Sequence, residues 1–420
     1  MPKFIAVRKA PPVAAQTLDR LSIEDKRHTF VQTAPEQTVA DDLQGAGLRQ
    51  VHRVNSLPPL DHTFQEFDYV GAYVVQTTSP AVAERAMEIL DPDHIIVPNL
   101  PLSLPQARLS RRYRRWPLTS PTWPEESGIR LARQEGLTGA GVLVGILDTG
   151  CDADHIELRR KRIDFRYVPL EPTRQGLRSC RGFDVDGHGT HVAGIVAGER
   201  VGVAPAVELM VASVIESENL RTSLERIIHA LDWMLSKFRL EENLAKPTII
   251  NLSLGFRPEW LVDVQIERVF VGVQRIITTL ADLEVLPVVA VGNDGPGSVR
   301  APAYFNESLS VGAVDFALEP AAFSGGGISP ITLMPEPDVA GYGVDIFSCL
   351  EREIDGRSIF ATMSGTSMAA PYVTGIAALV AQSDPCMRVL DLRQCLLEQA
   401  LRIDAPRERV GAGLARFAPS

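Results

Sequence analysis

The sequence predicts a three-layer α/β/α fold with a mainly parallel sheet, preceded by a small α+β unit of the ferredoxin-like type. From about residue 125 onward, apolar runs of strand length alternate with long helical patterns. Strands that are apolar along their whole length are typical of parallel sheets covered on both faces. The loops DTG, SLG and GNDG each follow such a run, so polar residues collect where the strands end, at the functional edge of such sheets.

Length and charge limit the class of protein. The chain has 420 residues, enough for two or three domains or for one large domain with an appendage. Its net charge of −10 argues against a general binder of nucleic acid or of membrane surfaces. The amino-terminal residues lack the apolar stretch of a secretory signal, and no run approaches the ~18 to 20 apolar residues of a membrane span.

The cysteines indicate a reducing compartment. There are five, an odd number, and they are scattered without CxxC spacing. This pattern fits reduced thiols in a cytoplasmic protein better than a disulfide framework or cysteine-bound zinc. We therefore expect a cytoplasmic location.

Residues 1–105 are predicted to form the small α+β unit. The runs KFIAVRK, FDYVGAYVVQTT and HIIVP are expected to be strands. Ser79 and Pro80 are expected to start the helix AVAERAMEIL, Ser79 as its cap. A strand–helix–strand order predicts a sheet packed against helices.

Residues 106–124 are predicted to be an exposed linker, because they are rich in proline, arginine and serine and show no periodicity. The arginines of this linker could form a nucleic-acid patch: Arg108, Arg111, Arg112, Arg114 and Arg115. The remainder of the chain is acidic, which favours a linker that is solvated or docked on an acidic surface.

Residues 125–420 are predicted to form the large α/β domain. Its expected strands are VLVGILDTG, VELMVASVI, PTIINLSLG and LPVVAVGN. The runs SLERIIHALDWMLSKF and VQIERVFVGVQRIITTLADL are the longest expected helices.

Four polar residues could supply an acyl-transfer site, which needs a nucleophile, a base, an acid that orients the base, and donors to an oxyanion. Asp148 ends an apolar strand and is either a turn aspartate or the acid. His188 lies between glycines at an expected helix start, and this position favours function. His191, one turn further on, is expected to be a hydrogen-bonded core histidine.

The other two are an asparagine and a serine. Asn293 follows a buried strand in a glycine-rich turn and is either a turn former or a neutral donor to an oxyanion. Pro371 is tolerated only in the first turn of its helix, which puts the helix start at about Ser367. Ser367 is then an N-cap, and its Oγ also lies at the positive end of the helix dipole.

Together these stretches resemble the subtilisin-like serine protease (subtilase) family. The matching stretches are VGILDTG, GHGTHVAGIVAG, GVAP, IINLSLG, VVAVGN, LSVGAVD, PDVAGYGVDIFS, SGTSMAAPYVTGIAALV and GAGLARF. They occur in the family's order, which includes its Asp, His, Ser succession, and they extend over about residues 125 to 420.

The resemblance implies a role for each residue. Asp148 would orient His188, and His188 would take the proton of the Ser367 hydroxyl. Asn293 and the Ser367 backbone N–H would form the oxyanion hole. The motif also selects Ser367 over its neighbours Ser364 and Thr366 as nucleophile.

The resemblance further implies a substrate groove. Its two walls would be formed by Ser253, Leu254 and Gly255 and by Ala290, Val291 and Gly292. A cis Ala301–Pro302 bond would lie at the base of the S1 pocket. Arg300 would then favour an acidic P1 residue, or pair with Asp294 and narrow the pocket, or point into solvent.

Two further expectations concern metals and maturation. The loop that carries calcium in many secreted relatives is missing at ERVGVAP, so we expect no metal there, and a weaker cation site elsewhere stays open. Residues 1–105 resemble the subtilisin propeptide, which would place PNLPLSLP in the groove and a cleavage point within 104–116. The alternative is a permanent regulatory or partner-binding domain.

The function expected from the sequence is that of a serine endopeptidase made as a zymogen or in an autoinhibited form. Its partners would be a protein or peptide substrate and its own amino-terminal domain, acting as inhibitor. One alternative is a transpeptidase or macrocyclase on the same scaffold, although no clear insertion accompanies the site. Another is a non-catalytic scaffold that binds peptides, which the presence of all four polar residues disfavours.

Overall fold

A computed structural model describes residues 3–10, 37–51, 62–105, 107–114, 123–216, 221–257 and 266–418. The amino-terminal sheet has five strands: β1 (Lys3–Arg8), β2 (Arg49–Gln50), β3 (His62–Phe67), β4 (Ala72–Thr77) and β5 (His94–Pro98). Helices α1 (Gln37–Gly45) and α2 (Pro80–Leu90) belong to the same unit. The strand order β2-β3-β4-β1-β5 is antiparallel apart from the β2–β3 pair. With the short β2 set aside, this is the βαββαβ ferredoxin-like arrangement that the sequence predicts.

Helix α2 begins as predicted, and one predicted strand is divided. The Ser79 hydroxyl accepts a hydrogen bond from the Val82 N–H at 3.4 Å, and Pro80 is the first helical residue. The run FDYVGAYVVQTT was expected to be one strand, which is wrong. The chain turns at 68–71 between β3 and β4, closed by a hydrogen bond from Gly71 N to Phe67 O at 2.8 Å, and Gly71 supplies the positive φ of 70°.

The predicted linker also contains regular structure. Strand β6 (Pro101–Ser103) ends shortly before the linker, and strand β7 (Arg108–Tyr113) lies within it. Residues 108–112 are exposed, as predicted for the linker, but 108–113 also pair with a strand of the large domain described below. Most side chains of β7 are exposed, so its sequence shows no apolar alternation that could have indicated a strand.

The central sheet has eight strands: β8 (Leu143–Asp148), β9 (Ile163–Tyr167), β10 (Arg178–Ser179), β11 (Glu208–Ser213), β13 (Thr248–Leu252), β14 (Val285–Ala290), β15 (Leu309–Val314) and β18 (Val339–Tyr342). Its order is β10-β9-β11-β8-β13-β14-β15-β18, and only β10 runs antiparallel to its neighbour. The four strands expected from the sequence are confirmed as the adjacent set β11, β8, β13 and β14. Their carboxyl ends lie at one edge, as expected for parallel strands.

Smaller strands complete the described chain: β12 (Arg221–Ser223), β16 (Gly327–Ile328), β17 (Pro335–Glu336), β19 (Ile346–Leu350) and β20 (Ile359–Ser364). Strand β12 pairs with β6, β16 pairs with β17, and β19, β20 and β7 form an antiparallel sheet. The linker is thereby attached to the large domain through β7.

The described helices of the large domain are α3 (Ile129–Gln134), α4 (Pro172–Gln175), α5 (His188–Ala197), α6 (Leu224–Phe238), α7 (Ile266–Asp282), α8 (Thr366–Ser383), α9 (Val389–Gln399) and α10 (Arg407–Val410). One apolar core joins the sheet to α5 and α8, whose residues are small enough to pack closely. A second core joins the opposite face to α6 and α7. These two cores confirm the predicted three layers.

The amino-terminal unit packs on α6 and α7. Lys3 Nζ lies 2.7 Å from the carboxylate of Glu225, which is buried at the start of α6. Further along α6, Asp232 accepts a hydrogen bond from the Tyr69 N–H at 2.9 Å. Val97 of β5 packs so close to Gly272 of α7 that a Cβ there would lie 2.5 Å from it. In the described parts of the chain, none of the helices is both long and apolar enough to cross a membrane.

Candidate active site

Asp148 and His188 form a buried pair at the carboxyl edge of the central sheet. Asp148 is the last residue of β8 and His188 the first of α5, and their side chains are 0% and 3% exposed. Asp148 Oδ1 lies 2.8 Å from His188 Nδ1. Because a carboxylate can only accept, Nδ1 carries the proton, and in the neutral ring Nε2 is the basic nitrogen.

The Asp148 charge determines the proton affinity of this ring. Burial by itself lowers the pKa of His188, but the charge of Asp148 and its hydrogen bond outweigh burial, so the net pKa is raised above 6.5. His191 lacks such a partner, and burial lowers its pKa to about 3. Its Nε2 lies 3.2 Å from Ala361 O, which confirms it as a hydrogen-bonded core histidine.

A second aspartate holds the Asp148 loop in place. The Thr149 N–H donates to Asp148 Oδ1 at 2.7 Å, and the Thr149 hydroxyl lies 2.8 Å from Asp184 Oδ1. Asp184 also accepts from the Thr190 N–H at 2.6 Å, and Gly189 N donates to the Thr149 hydroxyl at 2.9 Å. Neither Thr149 nor Asp184 was predicted as a functional residue. Thr149 lies inside the DTG motif and Asp184 lies three residues before GHGT, and this proximity was the available signal.

Ser367 is the second residue of α8, and its hydroxyl does not cap the helix. Gly365 is the N-cap, so the expectation that Ser367 serves as the cap is wrong by two residues. Thr366 is the first residue of the helix, and Ser364 is the last residue of β20. Ser367 Oγ and His188 Nε2 are both buried, and neither has a hydrogen-bond partner among the described residues. The Ser367 hydroxyl can therefore still donate a hydrogen bond, and His188 Nε2 can still accept one.

Asn293 lies beside the start of α8. Its Oδ1 accepts from the Thr366 N–H at 2.8 Å and from the Thr366 hydroxyl at 2.9 Å. These bonds fix the amide, so that Nδ2 is its donor end. Nδ2 lies only 3.1 Å from the point that a Cβ on Gly365 would occupy, which explains why a glycine precedes the helix there.

The predicted groove walls follow two adjacent strands. Residues 253–255 continue from β13 and residues 290–292 from the end of β14, and all six are buried. Ser253 Oγ lies 3.5 Å from Ser367 O, so the first wall lies next to the helix that carries the serine. The Ala301–Pro302 bond is cis, as predicted.

Arg300 fills the space between the two walls. It is 7% exposed, so the expectation that it points into solvent is wrong. Its Nε and Nη2 donate to the two Asp294 oxygens at 2.6 and 3.0 Å, which is one of the three alternatives that the sequence left open. A Cβ on Gly292 would lie 2.9 Å from Arg300 Cγ, so the arginine stem lines that wall. Burial would raise the pKa of Asp294, but the hydrogen bonds and charge of Arg300 lower it overall.

A segment of the chain itself pairs with one predicted wall of this groove. Ser103 and Gly255 exchange two backbone hydrogen bonds of 3.1 Å in an antiparallel bridge, while β12 pairs with the other edge of β6. Beyond this bridge, Ala107 Cα lies 3.4 Å from the Cβ position of Gly365, next to the start of α8. Ser103 therefore lies against the wall that contains Gly255, and Ala107 lies beside the residue that precedes α8.

The fold and these residues define a class of protein: a three-layer α/β domain that carries a buried Asp–His pair at the carboxyl edge of a mainly parallel sheet. The pattern of the subtilase family (Peptidase S8) matches residues 139–413. The chain belongs to the subtilase family.

Known proteins of this family resemble the chain over about two thirds of its length. Subtilisin-like protease PopC of Myxococcus xanthus is 48% identical over 303 residues, which cover 70% of this chain and 63% of PopC. Subtilisin Savinase of Lederbergia lenta is 32% identical over 67% of this chain and 91% of its own length. The crystal structure of a cold adapted subtilisin-like serine proteinase matches 67% of this chain and 88% of its own, with 27% identity and a TM-score of 0.52.

Proposed function

We propose that this protein is a serine endopeptidase. The observation that carries the proposal is the buried Asp148–His188 pair at 2.8 Å, in a fold whose Ser367 lies buried in the first turn of α8 with a hydroxyl that has no hydrogen-bond partner among the described residues. The names of the related proteases and the family membership support the same conclusion. Since the alignment with PopC spans 63% of that protein, we infer the activity from the site rather than transfer it from the name.

The proposed reaction has two halves, formation and hydrolysis of an acyl-enzyme, and each half uses Ser367, His188 and the oxyanion donors. Ser367 Oγ bonds to the peptide carbonyl carbon while its proton moves to His188 Nε2. The Ser367 N–H and Asn293 Nδ2 donate to the oxyanion. The C–N bond then breaks as His188 returns the proton to the leaving amine, and water releases the acyl group by the same steps. Oγ and Nε2 approach each other when substrate binds, because catalytic hydrogen bonds are often long without it.

We also propose that the amino-terminal unit inhibits this site within the same chain. The Ser103–Gly255 bridge places an extended segment against a predicted wall of the groove. An added strand of this type presents its backbone as a substrate does. The α6 contacts of Lys3 and of the Tyr69 N–H hold the unit close to the groove. A substrate must displace this segment before it can bind.

Self-processing tests both proposals. We expect purified full-length protein to shorten with time to a product whose new amino terminus lies within 104–116, because Ser103 pairs with Gly255 and Ala107 lies beside Gly365, two residues before Ser367. Intact-mass measurement and amino-terminal sequencing locate the cut. The Ser367→Ala chain should stay intact beside it. A stable wild-type chain that nevertheless cleaves added peptides would indicate a permanent regulatory domain instead of a propeptide.

Arg300 is expected to restrict the P1 residue. Its stem occupies the space between the walls and its charge is matched by Asp294, so the pocket of the wild type is narrow. Arg300→Ala should raise kcat/KM for Phe relative to Ala at P1 by about tenfold, as the removal of a few side-chain atoms from a pocket does. The measurement is a P1 series of otherwise identical peptides.

The control for that series is Arg257→Ala, because Arg257 also lies near Asp294, at 3.8 Å, but at a more exposed position. Ratios between peptides cancel any loss of folded protein. An unchanged Phe-to-Ala ratio would contradict the narrow pocket. A wild-type preference for Glu over Leu that disappears in Arg300→Ala would instead show that Arg300 binds an acidic P1 residue.

A further inference from the structure

Strand β7 lies on the side of the groove where the leaving half of a substrate would bind. It pairs antiparallel with β20, with Arg108 opposite Ser364, three residues before Ser367. The preceding segment lies on the other side of the groove, where Ser103 pairs with Gly255. Along the chain, Ser103 beside Gly255 comes first, then Ala107 beside Gly365, and then β7 beside β20. In a substrate that follows the same order past Ser367, the place of β7 would be taken by the residues that follow the scissile bond.

Few side-chain contacts hold β7 in this place. Of its residues only Tyr113 is half-buried, at a ring distance of 5.3 Å from Phe347, and the others are exposed. The register shifts at Ser110, and this bulge lets its hydroxyl donate to Asp345 Oδ1 at 2.6 Å. The backbone ladder therefore supplies most of the attachment, and another extended chain can form the same ladder.

Three acidic residues lie beside the arginine-rich strand β7: Asp345, Glu351 and Glu353, of which Glu353 also pairs with Arg357 at 3.5 Å. Arg114 Nε donates to Glu353 at 3.0 Å. The carboxyl group of Glu351 lies so near Gly187, next to His188, that a Cβ on Gly187 would overlap it.

Glu351 lacks a full set of partners. Its Oε2 is buried and has no hydrogen-bond partner among the described residues. Burial, with a smaller contribution from the charge of Asp184, raises the pKa of Glu351 to about 7, while Arg112 acts in the opposite direction. A cation placed beside Glu351 would relieve this cost, and Arg112 of β7 does so only from an exposed position.

We propose that the strand pair β19–β20, with Asp345, Glu351 and Glu353, is a binding site for arginine- or lysine-rich residues on the carboxyl side of the scissile bond. The proposal rests on the endopeptidase function proposed above. Strand β7 is the occupant supplied by the chain itself, and substrates with the same chemistry, an extended basic segment, replace it. The site would thus select for basic residues after the cleaved bond, while Arg300 restricts the P1 residue before it.

Three peptides test this site. Each copies residues 101–113, and they differ only in the positions that correspond to Arg108, Arg111 and Arg112, which are kept as Arg or changed to Gln or to Glu. Full-length protein that has completed its self-processing is assayed with each, and product masses establish that the same bond is cut. We expect kcat/KM to fall in the order Arg, Gln, Glu, with about 3-fold to 10-fold between the first two, the range for a few exposed ion pairs. The preference should weaken as salt is added.

The test variant combines Glu351→Gln with Glu353→Gln. In this variant, kcat/KM for the Arg peptide divided by kcat/KM for the Gln peptide should fall close to one. The Gln peptide is its internal reference, so a general loss of activity does not imitate the effect. Glu242→Gln, an exposed change on the loop that leads to the opposite end of β13, should leave the ratio as in the wild type. Equal rates for the three peptides, or a preference that survives the double variant, would overturn this inference alone. Failure to cleave any of them would instead contradict the endopeptidase function.

Discussion

Replacement of Ser367 by alanine is expected to reduce peptide hydrolysis by about 10⁶-fold in kcat, a magnitude adopted from subtilisin, a relative in which this loss follows removal of the serine. The physical reason is that the acyl-enzyme cannot form without the hydroxyl, while the buried His188 and the groove stay in place. Residual catalysis would come from the oxyanion donors and from binding alone. The measurement is the turnover of a fluorogenic peptide beside labelling by an active-site serine probe.

The matched control is Ser383→Ala, at the other end of the same helix, where the hydroxyl only donates to Val380 O at 2.7 Å. It should keep wild-type turnover and probe labelling. Labelling that persists in Ser367→Ala would assign the nucleophile to another residue. A wild type that binds peptides but neither reacts with the probe nor cleaves them would be a non-catalytic scaffold. Products that have gained an added amine would identify a transpeptidase.

Asp148→Asn is expected to lower kcat by about 10⁴-fold, the effect of this change in serine proteases with the same triad. The asparagine amide can donate to the ring and stabilise the wrong tautomer, and it carries no charge to balance an imidazolium. It should also change the pH profile. In the wild type the pKa of His188 is raised above 6.5, so activity is lost as the pH falls through that raised value.

In the variant, burial acts on His188 without the Asp148 charge that opposed it, so the pKa of His188 falls. The acid limb of kcat/KM against pH should therefore move to lower pH, although the plateau is far lower. Asp154→Asn, a half-exposed aspartate paired with Arg181, should keep both the plateau and the limb. An acid limb at the same pH in Asp148→Asn would show that another group governs it.

The sequence by itself determined the elements of the large domain and most of the candidate residues. Strands β8, β11, β13 and β14 are apolar on both faces, and such runs admit few other interpretations. The positions of Asp148 at a strand end and His188 at a helix start followed from these local patterns. Ser367 was placed near a helix start by Pro371, with an error of two residues in its assignment as the cap, because Gly365 offered no side-chain signal.

The tertiary structure alone decided what those residues contact. Arg300 pairs with Asp294 instead of pointing into solvent because it is enclosed by the two groove walls, which follow different strands. That residues 108–113 form a strand depends on the free edge of β20, about 250 residues later in the chain, because an exposed arginine-rich segment has no pattern of its own. Local sequence fixes backbone propensity and burial, whereas long-range pairing is determined by whichever surfaces the folded chain brings together.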